Sequence, residues 1–516
     1  MRRLWWGAAG LVLLAWLGPV GAELIANERV EGRLIYREGK SPSGAQIGAR
    51  IGAADLLMDA QSMPCANCHG PDGRGRSEGG VRPPDITWQR LTTAYGQDVN
   101  GRRYPAYDVR SLARAVREGR DPAGNPLDPA MPRFALSERD MASLASYIQV
   151  LDQERDPGIA DDRLLVGSLL PLSGPLADLG HTLAGVLQGA VAALNAEGGI
   201  HGRQLDLVII DAGNDRDSAR RALNELLDER RVFSLLTSLA PALDDELAAE
   251  LQRRGVPLVG ALPLGASTPS GPLVFQPLPG LGEQMLALAR YARDDLRLGA
   301  EESWLVYPQG DGGLAQRLAR RLGDDGWSRL SLHPFAGDEA PLAGDPPPRS
   351  VFFLGSGAPF TRVVEQLQRA GADPFLFAIA GQVASSTGAL PTSFDGQLYL
   401  AFPFVPGDWT AAGVAGLQAA RQASGLDGRH ALLQVSAYCS VQLLAEGLRR
   451  SGRNLSREGL VRALEGIDNL PTGLTPALGF GPGRRIGANG AHIVRVELPK
   501  RNFVGVGNYV RLESAL

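Results

Sequence analysis

Residues 65–69 read Cys65-Ala66-Asn67-Cys68-His69, placing two thiols and an imidazole within five positions. A C-x-x-C-H run of this kind predicts covalent attachment of a c-type haem, with Cys65 and Cys68 as thioethers and His69 binding iron from one face. A C-x-x-C pair also serves as half a zinc site or as a thioredoxin-like redox pair. Zinc requires two more ligands, and the chain has one other cysteine, Cys439. Redox use of the pair stays open.

Working outward, the 516-residue length exceeds what one hydrophobic core serves, so two or three domains are expected. A net charge of -4 offers no domain-wide excess of Lys and Arg to neutralise phosphates, which argues against nucleic acid as a partner. Arg2 and Arg3 precede an apolar core from Leu4 to Leu17, followed by the small residues Val20-Gly21-Ala22. Residues 1–22 therefore read as a signal peptide cleaved before Glu23, and the mature protein is expected in the periplasm. No cysteine follows that point to carry a lipid, and no later run reaches about 18 apolar residues. With Cys65 and Cys68 committed to haem, Cys439 is unpaired; it lies in the apolar helical pattern Leu432 to Leu448 and reads as a small buried hydrophobe.

The pattern divides the chain. Residues 23–151 are rich in Gly, Arg and Pro with short helical stretches, whereas residues 163–516 open with short apolar runs alternating with amphipathic helices. Between them residues 152–162 (D-Q-E-R-D-P-G-I-A-D-D) are charged, hold Pro157-Gly158 and read as a linker.

The first domain needs a second iron ligand. Met58 and Met63 stand too close to the cysteines to reach across the ring, and Met141 shares a helical stripe with Leu144, Ala145 and Ile148. Met131 follows Asn125-Pro126-Leu127-Asp128-Pro129-Ala130 and precedes Pro132, a stiff loop suited to presenting a thioether inward. With C-A-N-C-H-G-P-D-G-R-G early, M-P-R-F late and L-S-E-R-D-M-A-S-L-A-S-Y-I as closing helix, residues 32–151 resemble the small monohaem cytochromes c. The resemblance implies an all-α domain with one covalent haem c, six-coordinate through His69 and Met131, carrying one electron. It also implies a redox partner, a periplasmic dehydrogenase or oxidase. Thr92 to Tyr107 is an insert relative to that family. Arg74, Arg76, Arg82, Arg102, Arg103 and Arg110 around these loops either steer an acidic partner or form a solvated surface.

In the second domain strands are expected at Leu164 to Leu170, Leu205 to Ile210, Val232 to Leu236 and Pro257 to Gly260, with helices between. A second set of strands follows at Trp304 to Tyr307, Val351 to Leu354 and Phe375 to Ile379. Strand and helix in alternation predict parallel sheets in two lobes with a cleft between them. V-G-S-L-L-P-L-S-G-P-L-A-D-L-G-H from Val166, N-A-E-G-G-I-H-G-R-Q-L-D-L from Asn195 and R-R-G-V-P-L-V-G-A from Arg253 are similar to type I periplasmic solute-binding proteins, in the branch of the branched-chain amino-acid receptors. The similarity weakens after about Ser385. It implies an α/β two-lobed fold with three hinge strands, closing on a small-molecule ligand. Ser173, Ser238, Ala261, Leu264 and Gln382 are the candidate ligand contacts. Leu264 stands where amino-acid receptors carry a hydroxyl, and neutral Gln382 where they carry an acid. Both departures disfavour a zwitterion, because a buried ammonium needs a carboxylate.

The histidines outside the haem motif lack metal-ligand spacing, and no nucleophile elbow, P-loop or H-E-x-x-H is present. The expectation is a non-enzymatic electron carrier fused to a small-ligand-binding domain that senses or regulates. The runner-up is a solute receptor of an ABC permease with an accessory haem domain.

Overall fold

A computed structural model of the protein describes residues 19–75, 83–94, 96–99, 101–151, 155–262, 269–337, 347–453, 455–500 and 502–513. Two compact units divide between Arg155 and Asp156. Most of the expected signal peptide, together with Arg76, Arg82 and Leu264, lies outside the described residues. A helix runs from Pro19 across the expected cleavage point to Glu38. No helix among the described residues is long and apolar enough to cross a membrane.

The first unit is built on helices Pro19–Glu38, Cys65–His69, Val109–Glu118 and Glu138–Ile148. The first and last of these cross closely. Gly32 makes that possible, since a Cβ there would stand 2.0 Å from the Ser143 carbonyl oxygen. Tyr36 and Tyr147 then stack at a tilt, 5.5 Å between centroids. Ser137 caps the last helix by accepting from the Asp140 N–H, and Asp108 and Ser111 form a reciprocal capping box on Val109–Glu118. The helical domain also carries short strands: Gly48–Ile51 lies between Leu56–Asp59 and Arg133–Phe134, both antiparallel. The Thr92 to Tyr107 insert folds as a hairpin of Gln97–Val99 and Arg102–Tyr104.

The second unit has two lobes. In the first, five parallel strands run in the order Val274–Phe275, Leu258–Ala261, Ser234–Ser238, Arg163–Leu170, Gln204–Asp211. The Ser234–Ser238 strand is buried throughout, as a strand covered on both faces requires. The end of the expected linker is already fastened here: the Leu165 N–H donates to Gly158 O at 2.8 Å, and the Arg457 N–H donates to Asp156 Oδ2 at 2.6 Å.

The chain then crosses to the second lobe. There Leu330–Phe335, Ser303–Pro308, Ser350–Phe353, Phe375–Ile379 and Leu398–Phe402 form a parallel sheet. It returns to lobe one for helices Ala411–Ala423, Ala431–Ser451 and Arg457–Glu465, whose Leu417, Cys439 and Leu460 join the core of Leu164 and Val259. A last crossing adds Gly490–Glu497 and Asn502–Gly505 to the second sheet as antiparallel strands. The first and last crossings run side by side, bridged in parallel at Gln276 and Ile486.

Candidate haem and ligand sites

Cys65 and Cys68 lie one turn apart in the short helix Cys65–His69, which starts after Pro64. The chain then turns back through glycines. Gly75, at φ +84°, approaches so closely that a Cβ would stand 2.2 Å from Pro83 O. This return brings the Pro84 carbonyl oxygen 3.1 Å from His69 Nδ1. With Nδ1 donating there, Nε2 carries the free lone pair, the tautomer an iron ligand needs. Burial lowers the His69 pKa and so favours the neutral ring.

These groups open into a cavity of about 380 Å³, lined also by Met131, Tyr36, Leu112, Val116, Leu144 and Ile148. The cavity suits a large apolar ring system, and its wall carries two thiols, an imidazole and a thioether in one space. Of the described methionines, Met131 is the one on this wall. Met141 is buried in the helical core, and Met285 is buried in the second unit. A Met131 N–H donating to Asp128 O at 2.9 Å and an Ala130 N–H donating to Asp128 Oδ1 tighten the loop that presents it. The residues therefore fit a haem.

The other readings of the C-x-x-C pair fit less well. Apolar surroundings push the Cys65 thiol up to about 12, opposite to the depressed value that a redox-active thiolate needs. Among the described residues no group of three or more His, Cys, Asp or Glu is arranged to hold a metal ion.

The insert contributes Arg102, Tyr104 and Tyr107 to the wall. Arg102 is paired with Asp121 at 3.0 Å, and its guanidinium carbon lies 5.5 Å from the Tyr104 ring centroid.

In the second unit a cavity of about 280 Å³ lies in the cleft between the lobes, and Gln382 is on its wall. Ser238 and Ala261 at strand ends, and Ser173 in the loop after Arg163–Leu170, lie outside that lining. The Ser173 hydroxyl bonds Asp211, whose carboxyl is pushed up by burial but held below its ordinary value by hydrogen bonds from Gly213, Ser173 and Leu172. Ser238 and Ala261 are buried, and Ser238 Oγ has no hydrogen-bond partner among the described residues. His430 and Ser436, on the helix start and first turns of Ala431–Ser451, and Leu281 and Gln284 on Leu281–Asp294 complete the wall. Sequence reading had marked the first of these helices only as buried, because its apolar stripe hides which end reaches the cleft.

A cavity with thiols, imidazole and thioether in a small helical unit, followed by a two-lobed α/β cleft, defines a haem-holding domain joined to a solute-binding fold. The sequence profile described as "Periplasmic binding protein" matches residues 164–319 and 346–500, and the chain belongs to that family. A "Cytochrome c" profile matches residues 58–152, so the first unit is a cytochrome c domain; that family carries covalently bound haem. Among solved structures, a possible leucine/isoleucine/valine-binding protein from Rhodopirellula baltica aligns at 18% identity and TM-score 0.52, over 67% of this chain and 96% of its own. A branched chain amino acid ABC transporter protein from Thermus thermophilus with bound valine aligns at 15% identity and TM-score 0.51, over 69% and 98%. A substrate-binding periplasmic protein from Ralstonia solanacearum aligns at 21% identity and TM-score 0.51, over 66% and 99%. At these identities the likeness shows the fold. No curated protein matches the chain significantly.

Proposed function

We propose that the protein is a periplasmic electron carrier with one covalent haem, fused to a unit that senses a small molecule. One observation carries the first part: Cys65, Cys68, His69 and Met131 line the same cavity. In this reading Cys65 and Cys68 would hold the ring as thioethers, and His69 and Met131 would bind its iron. The bound haem supplies a one-electron couple, and a thioether paired with imidazole favours a high reduction potential. Pro84 fixes the His69 ring, the 128–131 loop fixes Met131, and the apolar wall keeps water from the iron. The donor or acceptor is a periplasmic dehydrogenase or oxidase.

Ligand-driven closure of the lobes would then modulate docking of that partner. Closure biases the haem unit only through contacts that differ between open and closed states. The test is electron-transfer rate to a partner and reduction potential, each with and without saturating ligand. Two unchanged values remove the coupling.

A second reading, a solute receptor for an ABC permease, draws support from the similarity to ABC substrate-binding proteins. Solute uptake that is lost on deleting the gene, with no partner reduced, would favour it over the first.

A further inference from the structure

The cleft cavity faces its contents with almost no net charge. Its described lining holds no Asp, Glu, Lys or Arg, and Leu262, Leu281, Ile379 and Leu432 dominate it. An ammonium brought there would lose its water without gaining a carboxylate. His430 is the titratable side chain on this wall, and its Nε2 lies 3.1 Å from the Asp178 carboxylate.

Anions fare little better. Helix Leu281–Asp294 begins at the wall, but the Glu283 carboxylate already occupies that end, accepting from the Gly280 N–H at 3.1 Å. That carboxylate satisfies the positive helix end and repels a second negative charge.

What remains is hydrogen-bonding capacity of one kind. Gln382 Oε1 accepts from the Gly355 N–H at 3.3 Å, which leaves Nε2 as a donor with no acceptor among the described residues. Ser436, also on the wall, has a hydroxyl without a described partner.

We infer that the cavity takes an uncharged, mainly apolar small molecule whose hydrogen-bond acceptor, an amide or ketone oxygen, meets Gln382 Nε2. The inference rests on the reading that this unit binds a small molecule, and it names the class.

The test is isothermal titration calorimetry on the full haem-loaded chain with three compounds of one carbon skeleton: 4-methylpentanamide, 4-methylpentanoate and leucine. The amide is expected to bind at least tenfold more tightly than either charged compound. Gln382→Glu, in which one oxygen can still accept from Gly355, is expected to move the preference at least tenfold toward leucine. Should that variant fail to fold, Ser436→Ala is expected to weaken the amide severalfold. Tighter binding of leucine or the carboxylate overturns the inference and leaves the small-molecule reading standing. Binding of none of the three overturns the inference, and an unshifted preference in a folded Gln382→Glu removes Gln382 from the recognition.

Discussion

The Arg102 guanidinium lies 3.0 Å from the carboxylate of Asp121, whose side chain is fully buried. Asp121 also accepts from the N–H groups of Ala123 and Asn125, so this one carboxylate organises the 121–125 turn and ties the hairpin insert to it. Arg102→Ala strands a buried charge and is expected to destabilise the cytochrome c domain by roughly 3 kcal/mol or more. Asp121→Asn in the same chain is expected to recover part of that loss. Urea titration followed through the haem absorption measures both, and a single variant as stable as the parent would show the pair to be idle.

Met131→His is expected to keep the iron six-coordinate while replacing thioether by imidazole. The reduction potential should fall, and the weak near-infrared thioether-to-iron band of the oxidised form should vanish. An unchanged spectrum in this variant would mean that Met131 is a wall residue and the iron takes another ligand.

Arg457 is a tie within the binding unit. Its guanidinium donates to the carbonyl oxygens of Val232 at 2.7 Å and Phe233 at 2.9 Å, while its N–H meets Asp156. Arg457→Ala is expected to cost about 2–4 kcal/mol, since buried carbonyls lose charged donors. A fragment of residues 156–516 should likewise outlast one of residues 163–516 in denaturant. Equal midpoints for the two fragments would show that the 156–162 segment contributes nothing.

Asp244, at the start of helix Asp244–Arg254, is raised to about 7 by burial and, secondarily, by the Asp245 charge. Its ordinary value is 3.8, so between those limits the folded state holds a proton that the unfolded state has lost. Stability therefore falls as pH rises from about 4 to about 7, by at most about 4 kcal/mol. Asp244→Asn is expected to flatten this slope and to stabilise the binding unit at pH 8. Denaturation midpoints across that range check it, and a slope unaffected by the substitution would clear Asp244 of the effect.

How much of this was legible in the sequence follows the range of the interactions. The wall residues Cys65, Cys68, His69 and Met131 were, because haem attachment demands fixed local spacing and Met131 sits in a proline-bounded loop. The buried parallel strands were too, since a run such as Leu164 to Leu170 is apolar on both faces. Leu330–Phe335 was missed because it is only partly buried and carries His333 and Pro334. The antiparallel strands Gly490–Glu497 and Asn502–Gly505 belong to neither repeat of strand and helix, so alternation could not announce them. On the cleft wall Gln382 was legible, but Gln284 and Ser436 escaped, because they come from distant segments that only the crossings bring beside it. Residues 152–162 were read as a linker from their charge and Pro157-Gly158; the pattern does not announce that Gly158 bonds nearby Leu165 or that Asp156 bonds Arg457, far along the chain.

The close crossing at Gly32 has a consequence for the order of assembly. Residues Leu144 and Ile148 finish the haem cavity, and they belong to the helix that packs on the first one. A chain made from its N-terminus presents Cys65 and Cys68 long before that closing helix exists. Both thiols thus meet the solvent, and any attachment machinery, while the cavity still lacks a side. A ring tethered at that stage would be enclosed when Glu138–Ile148 packs.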